Sequence, residues 1–208
     1  MNFLRRHPIF SSVTASVAVT AALFFYRSRR INTWELVNDP PSAGRVVCFG
    51  DSLVYGSGAT SEDFTYPAWL GTMTSRVVHS YGYPGATTET ALQTLRNSSE
   101  ISGAIVIVTL GGNDFLKRVT LEETLDNLGH IFEILQEREA LVVYTGVPNG
   151  RTSSYRQLCK RHGVLLVPEL LDDILSDRSL KADHIHPNDR GYRILAERVH
   201  QVLEQHAL

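Results

Sequence analysis

From Arg45 onward, short runs rich in β-branched residues alternate with stretches in which apolar side chains recur at helical spacing. The runs predict strands at Val46–Phe49, Val77–Ser80, Ala104–Leu110, Leu141–Thr145 and Val164–Val167. They are nearly all apolar, the pattern of strands covered on both faces. Between them, Pro67 suits a first helical position and is followed by Trp69, Leu70 and Met73. Thr120-Leu121-Glu122-Glu123 has the form of a capping box and opens a stripe of Leu121, Leu125, Leu128, Phe132 and Leu135. Tyr192, Leu195, Val199 and Val202 repeat that spacing near the C-terminus. Strand–helix alternation of this kind predicts a three-layer α/β/α domain around a five-stranded, mostly parallel sheet. In such sheets ligands bind beyond the carboxyl ends of the strands, which is where chemistry is to be sought.

The first residues follow a different pattern. Ile9 to Tyr26 is an 18-residue stretch without a charge, bracketed by Arg5-Arg6 and by Arg27, Arg29 and Arg30. As a helix it would be about 27 Å long, just enough to cross the hydrocarbon core of a bilayer. Five Ser or Thr residues weaken it as a span, while Leu23-Phe24-Phe25-Tyr26 beside arginines resembles an interface anchor. The expected organisation is a signal-anchor or transmembrane segment over 1–30, a linker over 31–44 containing Asp39-Pro40-Pro41-Ser42, and a globular domain over 45–208. The rival readings are a cleaved signal with small residues at Val19-Thr20-Ala21, a mitochondrial presequence and a buried core helix. Arginines on both flanks leave the membrane orientation unreadable.

Charge sharpens this division. The formal net charge is −2, yet the first 30 residues hold five arginines and no acid, leaving fifteen basic against twenty-two acidic residues, near −7. An acidic body without a basic stripe argues against a nucleic-acid partner. Two cysteines, Cys48 and Cys159, are too few for a disulfide scaffold, and Cys48 in an apolar run reads as a buried thiol.

Three fragments at predicted strand ends carry candidate chemistry. Gly50-Asp51-Ser52-Leu53 follows the first strand, where a glycine turn can present a serine hydroxyl at the sheet's edge. It is not the nucleophile elbow of α/β-hydrolases, since Val54 stands where a second glycine is needed; a helix N-cap serine is the plainer alternative. Gly111-Gly112-Asn113-Asp114 follows the central strand and aims a neutral amide donor across the strand ends, or is an ordinary turn. Asp183-His184-Ile185-His186-Pro187 precedes the last helix. A carboxylate three residues ahead of an imidazole can fold back onto Nδ1–H and leave Nε2 free to take a serine proton. The alternative is a metal held by Asp183, His184 and His186, although no further His or Cys cluster completes a closed zinc site.

Together these blocks resemble those of the GDSL, or SGNH, hydrolases, and Gly85 in Tyr83-Pro84-Gly85-Ala86-Thr87-Thr88 resembles the glycine of the remaining block. The wording is most similar to the arylesterase, lysophospholipase L1 and acyl-CoA thioesterase I group over Val46 to Val202. The resemblance implies a flavodoxin-like SGNH fold. It further implies a triad of Ser52, Asp183 and His186, an oxyanion hole formed by Ser52, Gly85 and Asn113, and no metal or organic cofactor. His184 becomes a bystander. One departure is that His79-Ser80-Tyr81-Gly82 precedes the glycine block without its usual Asn, so the bracing of the Gly85 loop must differ. The implied activity is hydrolysis of carboxylic esters or thioesters, with lysophospholipid or arylester-like acyl substrates. Alternatives are a carbohydrate O-acetyl esterase and a non-catalytic membrane-tethered scaffold. The expected location is at a membrane through residues 9–26, with the catalytic domain periplasmic or otherwise extracytoplasmic, or secreted after cleavage.

Overall fold

The computed structural model describes residues 32–39, 44–101, 105–147, 150–168 and 170–206. Along the chain run β1 (Val46–Gly50), α1 (Ser52–Tyr55), α2 (Tyr66–Thr74), β2 (Val78–Gly82), α3 (Thr88–Asn97), β3 (Ile105–Thr109) and α4 (Gly112–Leu116). They are followed by α5 (Leu121–Glu137), β4 (Leu141–Thr145), α6 (Thr152–His162), β5 (Leu165–Val167) and α7 (Asp189–His206). The sheet order is β2-β1-β3-β4-β5 with every pairing parallel. The chain therefore leaves β1 in one direction and returns past it to β3. That reversal opens a crevice at the carboxyl ends of β1 and β3, where ligands bind in doubly wound sheets.

The three layers follow from the period-two alternation of apolar strands. Val47, Phe49, Val106, Val108, Val142 and Tyr144 face one side and pack on α3, α5 and α6. Val46, Cys48, Ile105, Ile107, Leu141 and Val143 face the other and pack on α1, α2 and α7. The stripe read from Leu121 to Leu135 is the buried face of α5, and Thr120 with Glu123 forms the expected capping box.

Three features depart from the sequence reading. β2 is an edge strand, and His79 and Ser80 on it are exposed. α3 and α6 have no counterpart among the helices read from the sequence: α3 is capped by Thr87 and Thr90, and α6 has no side-chain cap. Most unexpectedly, part of the segment read as linker is packed onto the domain. In residues 32–39 the even positions are buried or half-buried and the odd ones exposed, the alternation of a docked extended chain. The Asn32 amide donates to the Leu166 carbonyl at 3.0 Å and its oxygen accepts from the Leu166 N–H at 2.8 Å. Trp34 Nε1 donates to the Val164 carbonyl, and Val37 N–H to the Gly163 carbonyl. Asn38 donates to the Gln136 and Ala140 carbonyls. The strap thus satisfies groups along the outer edge of β5 that an open edge would leave to another chain.

No helix among the described residues is long and apolar enough to cross a membrane. The stretch 9–26, on which the anchor expectation falls, lies outside the described residues.

Candidate active site

Ser52 stands two residues beyond β1, at the first position of α1. The cap of that helix is Asp51, whose carboxylate accepts the Leu53 N–H at 3.0 Å, so Ser52 is not the N-cap and its hydroxyl is not spent on backbone. Gly50 makes the turn fit: a Cβ there would lie 2.1 Å from the Thr109 carbonyl oxygen of neighbouring β3.

The loop before α7 brings the base to this serine. His186 Nε2 lies 3.1 Å from Ser52 Oγ, and His186 Nδ1 lies 2.8 Å from Asp183 Oδ2. Asp183 Oδ1 also accepts the N–H groups of Ile185 and His186, each at 2.8 Å. The ring hydrogen bond from His186, followed by these backbone donors, holds the Asp183 carboxyl well below the usual carboxylate range. An ionised Asp183 keeps a proton on Nδ1 and leaves Nε2 as the acceptor for the serine hydroxyl. His184 is exposed and makes none of the hydrogen bonds of this relay. No cluster able to hold a metal ion occurs among the described residues.

Across the crevice, Gly111 and Gly112 turn the chain from β3 into α4, which carries Asn113. The Asn113 amide donates to the Ala86 carbonyl at 3.0 Å and to Asp51 Oδ2 at 3.4 Å, the latter long for a hydrogen bond. Gly85 has φ of +79°, the left-handed conformation that favours glycine. The backbone N–H groups of Ser52 and Gly85 donate to no other group among the described residues. The geometry therefore gathers all five residues read from the sequence: Ser52, Gly85, Asn113, Asp183 and His186.

The missing Asn ahead of the Gly85 block is replaced by a different brace. Asp114, 1% exposed, accepts both the N–H and the hydroxyl of Thr88, and Asn127 Nδ2 donates to the same hydroxyl. Lys117 Nζ reaches the Gly85 carbonyl at 2.9 Å. Asp51 is the other buried carboxylate, and burial pushes it up to about 6. The Leu53 N–H and His186 favour its charged form, and Asp114 disfavours it.

Beside Ser52 and His186 opens a cavity of about 170 Å³, walled by Phe115, Leu116, Val147, Leu171, Leu175 and Ile185. A model of the GDSL-like lipase/acylhydrolase family matches residues 48–194, which include every one of the five site residues. The chain belongs to the GDSL-like lipase/acylhydrolase family. It is accordingly an ester-hydrolysing enzyme with the α/β fold of the SGNH hydrolases.

Solved structures agree with that membership. TesA superposes with a TM-score of 0.72 at 22% identity, over 77% of this chain and 98% of its own. The psychrotrophic esterase EstA from Pseudoalteromonas sp., solved with monoethylphosphonate as inhibitor, gives 0.67 at 20% identity, over 78% and 97%. AlinE4, an SGNH-hydrolase family esterase, gives 0.60 at 28% identity, over 79% and 96%. No curated protein sequence matches this chain significantly.

Sequence reasoning missed the support around this GDSL site: Asp51 as cap and clamp, Thr88, Asp114, Asn127 and Lys117. Asp51 had a readable signal, an aspartate directly before a helix start. The Thr88–Asp114 pairing, 26 positions apart in the chain, had none.

Proposed function

We propose that the enzyme hydrolyses acyl esters or thioesters of lysophospholipid or arylester type through an acyl-Ser52 intermediate. The observation that carries this reading is the Asp183–His186–Ser52 relay opening directly onto the apolar cavity. Ser52 Oγ attacks the acyl carbonyl as its proton passes to His186 Nε2. The negative charge that develops on the carbonyl oxygen meets the N–H groups of Ser52 and Gly85 and the Asn113 amide, which exchanges its long contact with Asp51 for the oxyanion. His186 returns the proton to the departing alcohol or thiol. It then takes one from water, whose oxygen attacks the acyl carbon, and passes it to Ser52 Oγ as the C–Oγ bond breaks and the acid leaves. Asp183 steadies the imidazolium in both halves.

The aliphatic and aromatic walls favour an acyl chain over a carbohydrate, whose hydroxyls would find few partners there. A tether through residues 9–26, with the domain on the extracytoplasmic side, belongs to the same reading and is supported by the uncharged run and its flanking arginines. The test is an acyl-chain-length series of nitrophenyl esters and thioesters, with Ser52→Ala as control. Turnover should rise from acetyl to longer chains. Activity on acetylated sugars alone would overturn the acyl reading. Full-length protein should resist a carbonate wash of membranes, whereas recovery of the intact chain in the soluble fraction would overturn the tether.

A further inference from the structure

The strap over residues 32–38 has a direction. Its hydrogen bonds fall on Leu166 from Asn32, on Val164 from Trp34, on Gly163 from Val37, and on Ala140, just ahead of β4, from Asn38. The strap therefore runs antiparallel to β5, from the half of the sheet nearer the strands' carboxyl ends to the amino ends. It is also fixed against both layers, because Trp34 packs on the α5–α6 side and Leu36 on the α7 side. Asn32, the first described residue, is thus bonded to β5 in the half nearer the strand's carboxyl end, the end of the sheet at which Ser52 and His186 stand.

Only five residues, Arg27 to Ile31, separate Asn32 from the uncharged run that ends at Tyr26, and three of them are arginines. Fully extended, five residues span at most about 18 Å, less than the width of a small domain of about 30 Å. A tether that short cannot carry the catalytic end round to the far side of the domain.

The surface at that end is chemically distinct. Eight large hydrophobic side chains are exposed among the described residues. Phe115, Leu116 and Ile185 line the cavity beside Ser52 and His186, and Tyr83 directly follows the carboxyl end of β2. Val37 and Val77, by contrast, lie toward the amino ends, Tyr55 closes α1, and Phe64 packs against Trp69 of α2. Apolar and aromatic side chains gathered on one exposed face are the composition that enters the headgroup–acyl boundary of a bilayer.

The geometry points to a lipid bilayer as the partner of this face: the strap and the short arginine-rich segment hold the mouth of the active site against the membrane in which residues 9–26 are anchored. The inference rests on the tether reading given under Proposed function, and it narrows the substrate to single-chain acyl esters that leave the bilayer directly into the Phe115–Ile185 mouth. The arginines of the connecting segment then sit at headgroup level, where anionic lipid favours them.

The experiment uses the full chain in phosphatidylcholine–phosphatidylglycerol vesicles. A cysteine is introduced at one of two exposed sites, Leu116→Cys at the mouth or Val77→Cys at the opposite end, and labelled with an environment-sensitive fluorophore. Native Cys48 and Cys159 are buried and remain unlabelled in the folded protein. With lipids carrying a nitroxide quencher, the label at position 116 should lose most of its fluorescence and that at 77 should keep nearly all of it. Equal quenching, or stronger quenching at 77, in protein that floats with the vesicles overturns the orientation while leaving the tether standing. Failure of the intact chain to float overturns the tether and the orientation with it.

Discussion

Asp183 and Asp51 both hold groups that flank the same serine, and they are built by opposite means. Asp183 lies on an exposed loop, takes its partners from within three residues of itself, and is held below its ordinary pKa by the hydrogen bonds it accepts. Asp51 is 4% exposed, reaches Asn113 from a different strand end, and is pushed up to about 6 by burial. The Asp183–His186 pair is thus local and stabilised by hydrogen bonds within its own loop. The proposed oxyanion side depends on the folded sheet bringing β1, β3 and the Gly85 loop together, and buries two carboxylates, Asp51 and Asp114, at a cost in desolvation. The difference teaches that the Asp183–His186 pair can be set within one short peptide, whereas its reach to Ser52 and the proposed anion hole are properties of the tertiary fold.

The largest break in this comparison comes from the relay itself. Ser52→Ala and His186→Ala should each lower kcat by several orders of magnitude, and the double variant should be little worse than either, because the two act as one unit. Steady-state kinetics on a nitrophenyl ester check this; additive losses would mean that they act separately. On the other side, Asn113→Ala should leave KM nearly unchanged and raise the barrier by about 2.7–4 kcal/mol, the usual range for one oxyanion donor. A rise in KM with kcat preserved would assign Asn113 to ground-state binding instead.

The comparison also accounts for what was legible in the sequence. The strand runs Val46–Phe49 and Leu141–Thr145 could be read because burial on both faces leaves a continuous apolar signature. The Asp183–His186 pair could be read because its geometry is set by spacing alone. The clamp of Asp51 on Asn113 and the grip of Asp114 on Thr88 join residues 62 and 26 positions apart. No local pattern encodes which strand end faces which. The strap escaped notice for a related reason: Asn32 and Trp34 pair with the edge of β5 more than 100 residues away, and Asp39-Pro40-Pro41 nearby gave the whole segment the composition of a linker.

The pH dependence of stability separates the two carboxylates in sign. A carboxyl with its folded pKa depressed, as in Asp183, contributes stability above its ordinary value and loses it as pH falls. A carboxyl with its folded pKa raised does the reverse. Asp51 favours the folded state when protonated, and that contribution is lost as pH rises from 3.8 through about 6. Asp51→Asn should therefore raise the free energy of urea unfolding at alkaline pH, by at most about 3 kcal/mol for the rise from 3.8 to about 6. The gain should shrink through about pH 6 and vanish near the ordinary carboxylate value. The same variant should lose activity, because its amide cannot accept from Asn113 while also receiving the Leu53 N–H. A midpoint unchanged across this pH range would show that Asp51 is as well solvated in the folded protein as in the unfolded chain.

Two substitutions then ask whether the Gly85 loop is held from inside or from outside. Thr88→Val keeps the backbone donor to Asp114 and removes the hydroxyl, leaving a buried carboxylate and the Asn127 amide short of a partner. A loss of about 1–3 kcal/mol in stability is expected, with kcat falling more than KM rises as Gly85 moves out of register. Lys117→Met removes only the exposed contact from Nζ to the Gly85 carbonyl, while its stem can still lie over the surface. A hydrogen bond open to water contributes about 0.5–1.5 kcal/mol at most, so kcat should fall by about tenfold or less and the melting temperature should hardly move. The expected ranking is Thr88→Val more damaging than Lys117→Met by both measures, since only the first disturbs a group that water cannot reach. If Lys117→Met proved the worse of the two in kcat, the loop would be held by its surface lysine. The buried Thr88–Asp114 pair would then contribute stability alone.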